Sequence, residues 1–323
     1  MKKLTPVLFL TWLALGMTGA TPSFADNLYP VLMSDYWGFM DKAGKVVIKP
    51  QFERAEPFVN DLAAMRIKRW GFVGTDGKIV INPQFDEVGP FREGLAVFKI
   101  GGKFGYVNPA GKYAINPQFD RASSFSEGRA LIRLNRRYGY IDKAGAIIIN
   151  PQFEEAHDFS QGLAAVEVGD RWGYIDTNGK MIINPQFERA GEFSEGLAAV
   201  RLGRRWGFTD KTGKLVINPQ FEDAREFSRG LAPVRVGRLW GYADTNGKLT
   251  INPQFEEAYP FAENLGRVEV ADRFGFVDKH GKFVINPQFD DAQSFTNGLA
   301  RVKISRRIGY VDSDGKYVWN PTN

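Results

Sequence analysis

The chain has 323 residues, with 42 Lys+Arg against 37 Asp+Glu, two His and no Cys. The lack of Cys excludes a disulfide framework, a thiolate metal site and a thiol nucleophile, and two imidazoles, His157 and His280, are too few for a multi-histidine metal site. Thirty-five Gly beside 14% aromatic residues point to many tight turns between short, well-anchored strands.

Residues 1–25 differ from the rest. Lys2 and Lys3 precede an apolar stretch from Val7 to Met17, and Ser23-Phe24-Ala25 places small residues on either side of Phe24. This is the pattern of a secretory signal peptide cut between Ala25 and Asp26, so the protein is expected to be exported, periplasmic or extracellular. No Cys follows for a lipid anchor. No later stretch reaches ~18 apolar residues, so no membrane span is expected once the signal is removed. Its loss takes two Lys and no acid, lowering the formal net charge from +5 to +3.

The remainder is one unit repeated. An aromatic residue followed by Gly occurs at Trp37, Trp70, Phe104, Tyr138, Trp172, Trp206, Trp240 and Phe274, and Ile308-Gly309 is a ninth copy. The first step is 33 residues and the later ones 34. Pro-Gln-Phe recurs eight times, from Pro50 to Pro287. Such a period means a solenoid, a propeller or another array. Tetratricopeptide helices share the 34-residue period. Here, however, each unit carries several Gly and a Pro, and its apolar runs are short and β-branched. Leu197–Leu202, Trp206–Asp210 and Lys214–Ile217 read as three strands. The units start near residues 28, 62, 95, 129, 163, 197, 231, 265 and 299.

Aromatic-Gly-[Phe/Tyr], Asp-x-x-Gly-Lys, an apolar triplet, Pro-Gln-Phe and Ser-x-Gly-Leu-Ala together resemble the WG repeat family, over residues 28–321. The resemblance implies a bacterial, β-rich, often exported repeat protein, and it carries no agreed activity or catalytic residues. The unit departs from the pattern at Ile308, Ala146 and Gly74.

Within a unit, Gly44, Gly77, Gly111, Gly145, Gly179, Gly213, Gly247, Gly281 and Gly315 occupy one turn position, which suits a hairpin closure with Gly in the left-handed region. An EF-hand reading of Asp-x-Asx-Gly fails for want of further ligands and the terminal Glu. The rings of Trp37, Trp70, Trp172, Trp206 and Trp240 are expected in the core, with carbohydrate stacking as the alternative. The loop length predicts Leu202 opposite Trp206, Val200 opposite Phe208 and Arg201 beside Gly207. The Gly after the Trp reads as a place where another segment crosses closely. The connector from Pro219 to Gly230 starts like a helix, but Pro57, Pro90 and Pro260 interrupt it in three copies, so one helical turn and a bend are expected. Its last slot, filled by Gly, Asn or Asp, suits positive φ. The frame opens on a first strand and closes on a third. Units of this size are shorter than usual propeller blades, so the expected architecture is all-β: an open or superhelical array of nine three-stranded units, with a closed ring as the alternative.

Arg69, Lys103, Arg137, Arg171, Arg205, Arg273 and Arg307 form one column, immediately before the ring residue, while the residue after Pro-Gln-Phe is acidic in all eight copies. The column either solvates hairpin tips and pairs with those acids, or forms a strip that binds an acidic polymer. No nucleophile–base set, phosphate loop or metal cluster stands out, so no catalytic residue, cofactor or metal is assigned. The expected function is a non-catalytic binding or scaffold module for an extended partner, a protein or an anionic envelope glycan. A purely structural surface protein is the alternative, and an unrecognised carbohydrate-active enzyme a more remote one. Export and the small net charge argue against nucleic acid.

Overall fold

The computed structural model describes residues 28–322, so the signal-peptide reading lies outside the described residues. All regular structure among them is strand. Each unit forms an antiparallel sheet. In the sixth, the strands are Arg189–Ser194, Leu197–Leu202, Arg205–Asp210 and Leu215–Phe221, side by side in that order. We call them inner, first, second and third.

The inner strand corrects two expectations at once. The connector carries no helical turn, and it adds a fourth strand to the expected three. Pro-Gln-Phe does not cap a helix because the residue before Pro is held extended and the third strand runs straight through. Phe221 thereby reaches Trp206 as a ladder partner. The chain then returns as the inner strand, pairing Arg189 with Arg201 and Ser194 with Leu197. Glu195 and Gly196 close that hairpin with φ of 53° and 83°, the geometry of a type I′ turn, which explains the Gly, Asn or Asp in this slot. The inner strand is six residues long in units two, three and six, and two residues plus a bridge in units four, seven, eight and nine. In unit five it is reduced to two bridges, and unit one has three strands among the described residues.

The expected register of the first hairpin is off by one. Leu202 pairs with Arg205, Arg201 with Trp206 and Val200 with Gly207. A two-residue loop closes this hairpin, where three had been allowed. The close crossing over Gly207 is present. A Cβ there would lie 2.4 Å from the Ile217 carbonyl oxygen and 2.8 Å from the Pro219 nitrogen. The third strand bulges across this glycine on its way to Phe221.

The units do not form an open or superhelical array. They close into a ring, a nine-bladed β-propeller. Nine open units would have eight interfaces, whereas nine apolar clusters are present, each shared by two adjacent blades. The ninth joins Tyr29, Val31 and Met40 of the first blade to Leu299 and Tyr310 of the last. Turn glycines repeat the message. Gly213 sits over Ile183 of the preceding blade, Gly247 over Ile217, and Gly44 over Val318 at the seam. Hydrogen bonds from Tyr29 Oη to the Asn297 carbonyl and from Tyr310 Oη to the Pro30 carbonyl, both 2.7 Å, complete the closure. A short blade is compatible with closure because the core is made between blades, not within them.

Candidate channel-facing site

The inner strands surround the axis. A single cavity touches Asn60, Glu93, Ser124, Asp158 and Glu192, one residue from each of five consecutive blades, as only an axial channel allows. Serine hydroxyls tie this ring together. Ser126, Ser160, Ser194 and Ser228 each donate to the carbonyl of the phenylalanine one blade on, at 2.6–2.7 Å. The Ser of Ser-x-Gly is therefore a blade-to-blade fastener. The second-strand tyrosines reach the same ring. Tyr140 Oη donates to the His157 carbonyl at 2.7 Å and Tyr174 Oη to the Gly191 carbonyl at 2.8 Å. Burial holds both phenols protonated by raising their pKa.

Two inner-strand positions break the repeat. Just before the inner phenylalanine, blades two to nine carry Glu56-Pro57, Gly89-Pro90, Ser123-Ser124, His157-Asp158, Gly191-Glu192, Arg225-Glu226, Tyr259-Pro260 and Gln293-Ser294. In three blades the first residue of the pair reaches the ring residue of its own blade. His157 lies 4.8 Å from Trp172, Arg225 4.3 Å from Trp240 and Tyr259 6.5 Å from Phe274. Trp172 and Trp240 are buried. Gly191 supplies no such cover, and Trp206 stays half-buried. A cavity of about 600 Å³ spans Gly191, lined by His157, Trp172, Arg189, Glu192, Trp206, Arg225 and Glu226 among others.

Acidic groups dominate this arc of the channel. Asp158, Glu192 and Glu226 come from consecutive blades, and none makes an ion pair among the described residues. Burial, then Asp158 and Glu226, raise the Glu192 pKa. Burial also raises that of Asp158, against the pull of a 2.5 Å bond from Ser123 Oγ. Burial lowers the His157 pKa, favouring the neutral imidazole. Arg225 is held by Glu257 at 2.5 Å and sits 4.3 Å from the Tyr259 ring, away from Glu192.

Of the residues singled out from sequence, Trp172 and Trp206 line this cavity, and the basic column and turn glycines lie elsewhere. The nine turn glycines all have positive φ. Trp37, Trp172 and Trp240 are buried, and Trp70 and Trp206 half-buried. The basic column stands on the hairpin tips and faces the connector acids. Arg69 meets Asp86 at 3.0 Å, Lys103 meets Asp120 at 2.6 Å and Arg171 meets Glu188 at 3.7 Å. Arg137 pairs with Glu154, Arg205 with Glu222 and Arg273 with Asp290. Arg307 has no ion pair among the described residues. Lys103 holds the Asp120 carboxyl below its ordinary pKa, and Arg137 does the same to Glu154. About half of each paired cation remains exposed. Sequence reading missed Gly191, Glu192 and Glu226 because it looked for what the units share. The usable signal was the pair of columns where they disagree.

A ring of nine antiparallel sheets around a channel defines the chain as a β-propeller. Its repeats match the model of the WG containing repeat in eight consecutive segments, residues 37–68, 70–104, 104–137, 138–172, 172–205, 206–240, 240–273 and 274–305, and the chain belongs to that family. No curated protein matches it by sequence. Among solved structures, a eukaryotic initiation factor is similar in fold, with a TM-score of 0.65 and 11% identity over 90% of this chain and 94% of that one. The dihydro-heme d1 dehydrogenase NirN matches with a TM-score of 0.49 and 10% identity, over 91% of this chain and 72% of that one. Hsv2 from Kluyveromyces marxianus gives 0.48 and 10% identity, over 72% and 94%. No helix among the described residues is long and apolar enough to cross a membrane.

Proposed function

We propose that this propeller is an exported, non-catalytic binding module that recognises a partner at the channel face of its inner strands. The observation that carries this reading is the pattern of variation within one chain. Positions that build blades repeat almost unchanged, while the channel pairs change from blade to blade. A position fixed by packing has little freedom to vary, whereas an exposed rim does. Loops and edges on a rigid repeat scaffold are where such proteins present ligand contacts. The arginine column supports the reading less well, because six of its seven cations face a carboxylate. Export rests on residues 1–25 alone.

Capture from an envelope extract on immobilised protein tests this. Three forms are compared: wild type, Asp158→Ser with Glu192→Ser and Glu226→Ser, and Arg137→Gln with Arg171→Gln and Arg205→Gln. A partner lost by the channel variant and kept by the arginine variant is the expected outcome. The reverse pattern would move recognition to the hairpin tips. Equal capture by all three would contradict both assignments.

A further inference from the structure

We infer that the cavity over Gly191 binds an alkyl cation, the protonated amine or guanidinium of a lysine or arginine side chain. This rests on the channel-face reading above and adds the chemistry of one pocket. Its volume, about 600 Å³, exceeds what a single long side chain needs.

One wall is the ring of Trp206, left uncovered because Gly191 has no side chain. An indole face attracts a cation, and more strongly when water is excluded. Beside it stand Glu192 and Glu226, with Asp158 one blade further along the channel. These carboxylates have no ion pair, although most acids on the hairpin face of the ring have one. A cation between them would relieve their mutual repulsion. The cavity's own cations do not fill that role. Arg225 is committed to Glu257 and to the Ala258 carbonyl, and Arg189 is exposed.

A second part of the lining favours a cation carried by a peptide. Trp172 lines the cavity at 3% exposure, and its indole N–H has no acceptor. A buried donor left unmade is costly. With the His157 ring, 4.8 Å from the indole, turned aside, a backbone carbonyl next to a basic side chain supplies the missing acceptor, and a simple amine does not. The gap at Gly191 is a free choice of the sequence. Its φ is not positive, and a Cβ would meet only Ala199, at 3.5 Å or more. A side chain is therefore tolerated there, as His157 and Tyr259 show in other blades.

The test is calorimetric titration of the exported protein with four probes: Nα-acetyl-arginine methylamide, Nα-acetyl-leucine methylamide, butylamine and methyl glucoside. The arginine amide should bind in a salt-sensitive way, butylamine more weakly, and the leucine amide and the glucoside not at all. Gly191→Tyr, and separately Glu192→Gln with Glu226→Gln, should each weaken the arginine amide by about tenfold or more, in line with a desolvated cation–π contact. Gly191→Ser, which fills little of the space, should bind nearly as wild type and shows that the tyrosine acts by occupancy. Butylamine binding as tightly as the amide would overturn the peptide-borne source. Glucoside binding that Gly191→Tyr abolishes would overturn the cation class. No cation binding at about 10 mM, or binding indifferent to Gly191→Tyr, would overturn the site. If envelope capture still depends on Asp158, Glu192 and Glu226 in that case, the channel-face reading survives and only this inference fails.

Discussion

Two glycines of the sixth blade show how the molecule divides its residues. Gly207 follows the tryptophan of the second strand, and any side chain there would collide with the backbone of the third strand at 2.4 Å. Gly191 lies on the inner strand, and a Cβ there would meet only Ala199, at ordinary contact distance of 3.5 Å or more. The first glycine recurs in every unit because the blade cannot form otherwise. The second is replaced by Glu, Ser, His, Arg, Tyr or Gln in six of the other seven inner strands. Identity across repeats marks what the fold requires, and difference marks what it leaves free.

The sharpest contrast follows directly. Gly207→Ala should cost roughly 3 kcal/mol or more, because the clash is with backbone that has nowhere to move. Gly191→Ala should fall within about 0.5 kcal/mol of wild type, as a substitution without a packing conflict does. Urea melts of both variants decide, and similar losses would erase the distinction.

Turn glycines should fall between these limits. Gly213 has φ of 91° and leaves only 3.1 Å between a would-be Cβ and Ile183 Cγ2. Gly213→Val should destabilise by about 1 kcal/mol or more, since a β-branched residue resists positive φ. Thr212→Val loses the bond from Thr212 Oγ1 to Asp210 Oδ1, 2.6 Å, and should cost less. Denaturant melts that rank them the other way would refute the turn assignment.

A smaller effect is expected in the eighth blade, where Glu269 stands in the strand column that elsewhere carries Arg or Lys in six of eight units. Burial, then Glu256, Glu257 and Asp272, raise its pKa above the ordinary 4.5. A carboxyl raised in the folded state favours folding below its unfolded pKa, and that contribution is lost as pH rises through the folded value. Glu269→Gln should therefore raise the melting point at pH 7 and lose this advantage toward pH 4. A constant gain across that range would rule out repulsion as its source.

The smallest change belongs to the basic column. Arg137→Gln, Arg171→Gln and Arg205→Gln together should shift the melting point by only a few degrees, because half-exposed ion pairs contribute little. Retention on an anionic polysaccharide at low and high salt measures the other possibility. A large, salt-sensitive loss of retention would restore the strip as a binding surface.

What the sequence disclosed follows the same division. Three strands, the turn glycines and the crossing at Gly207 were legible because local chemistry repeats nine times. The inner strand was hidden because Asn-Pro-Gln-Phe-acid looks like a helix start, and only its pairing with the first strand, 12 residues from Arg189 to Arg201, reveals a strand. The one-residue slip in register came from allowing three loop residues where the pair Gly203-Arg204, with positive φ at the glycine, suffices. Ring closure depends on contacts between Tyr29 and Asn297 and between Gly44 and Val318. Nothing in a uniform repeat distinguishes those from the contacts of an open stack. The column of arginines was visible as charge, but its carboxylate partners lie 17 residues away, across the third strand.

The channel, and every site placed on it, exists only if the ring is closed. The absence of Cys allows a direct measurement with paired spin labels. Ser34, Ala271 and Ser305 are exposed and occupy the same first-loop position in blades one, eight and nine. The distance between labels at Ser34→Cys and Ser305→Cys is to be compared with that between Ala271→Cys and Ser305→Cys. A closed propeller predicts matching distances, because both pairs span one blade-to-blade step. A first-to-last distance well beyond that of the neighbouring pair would contradict the ring.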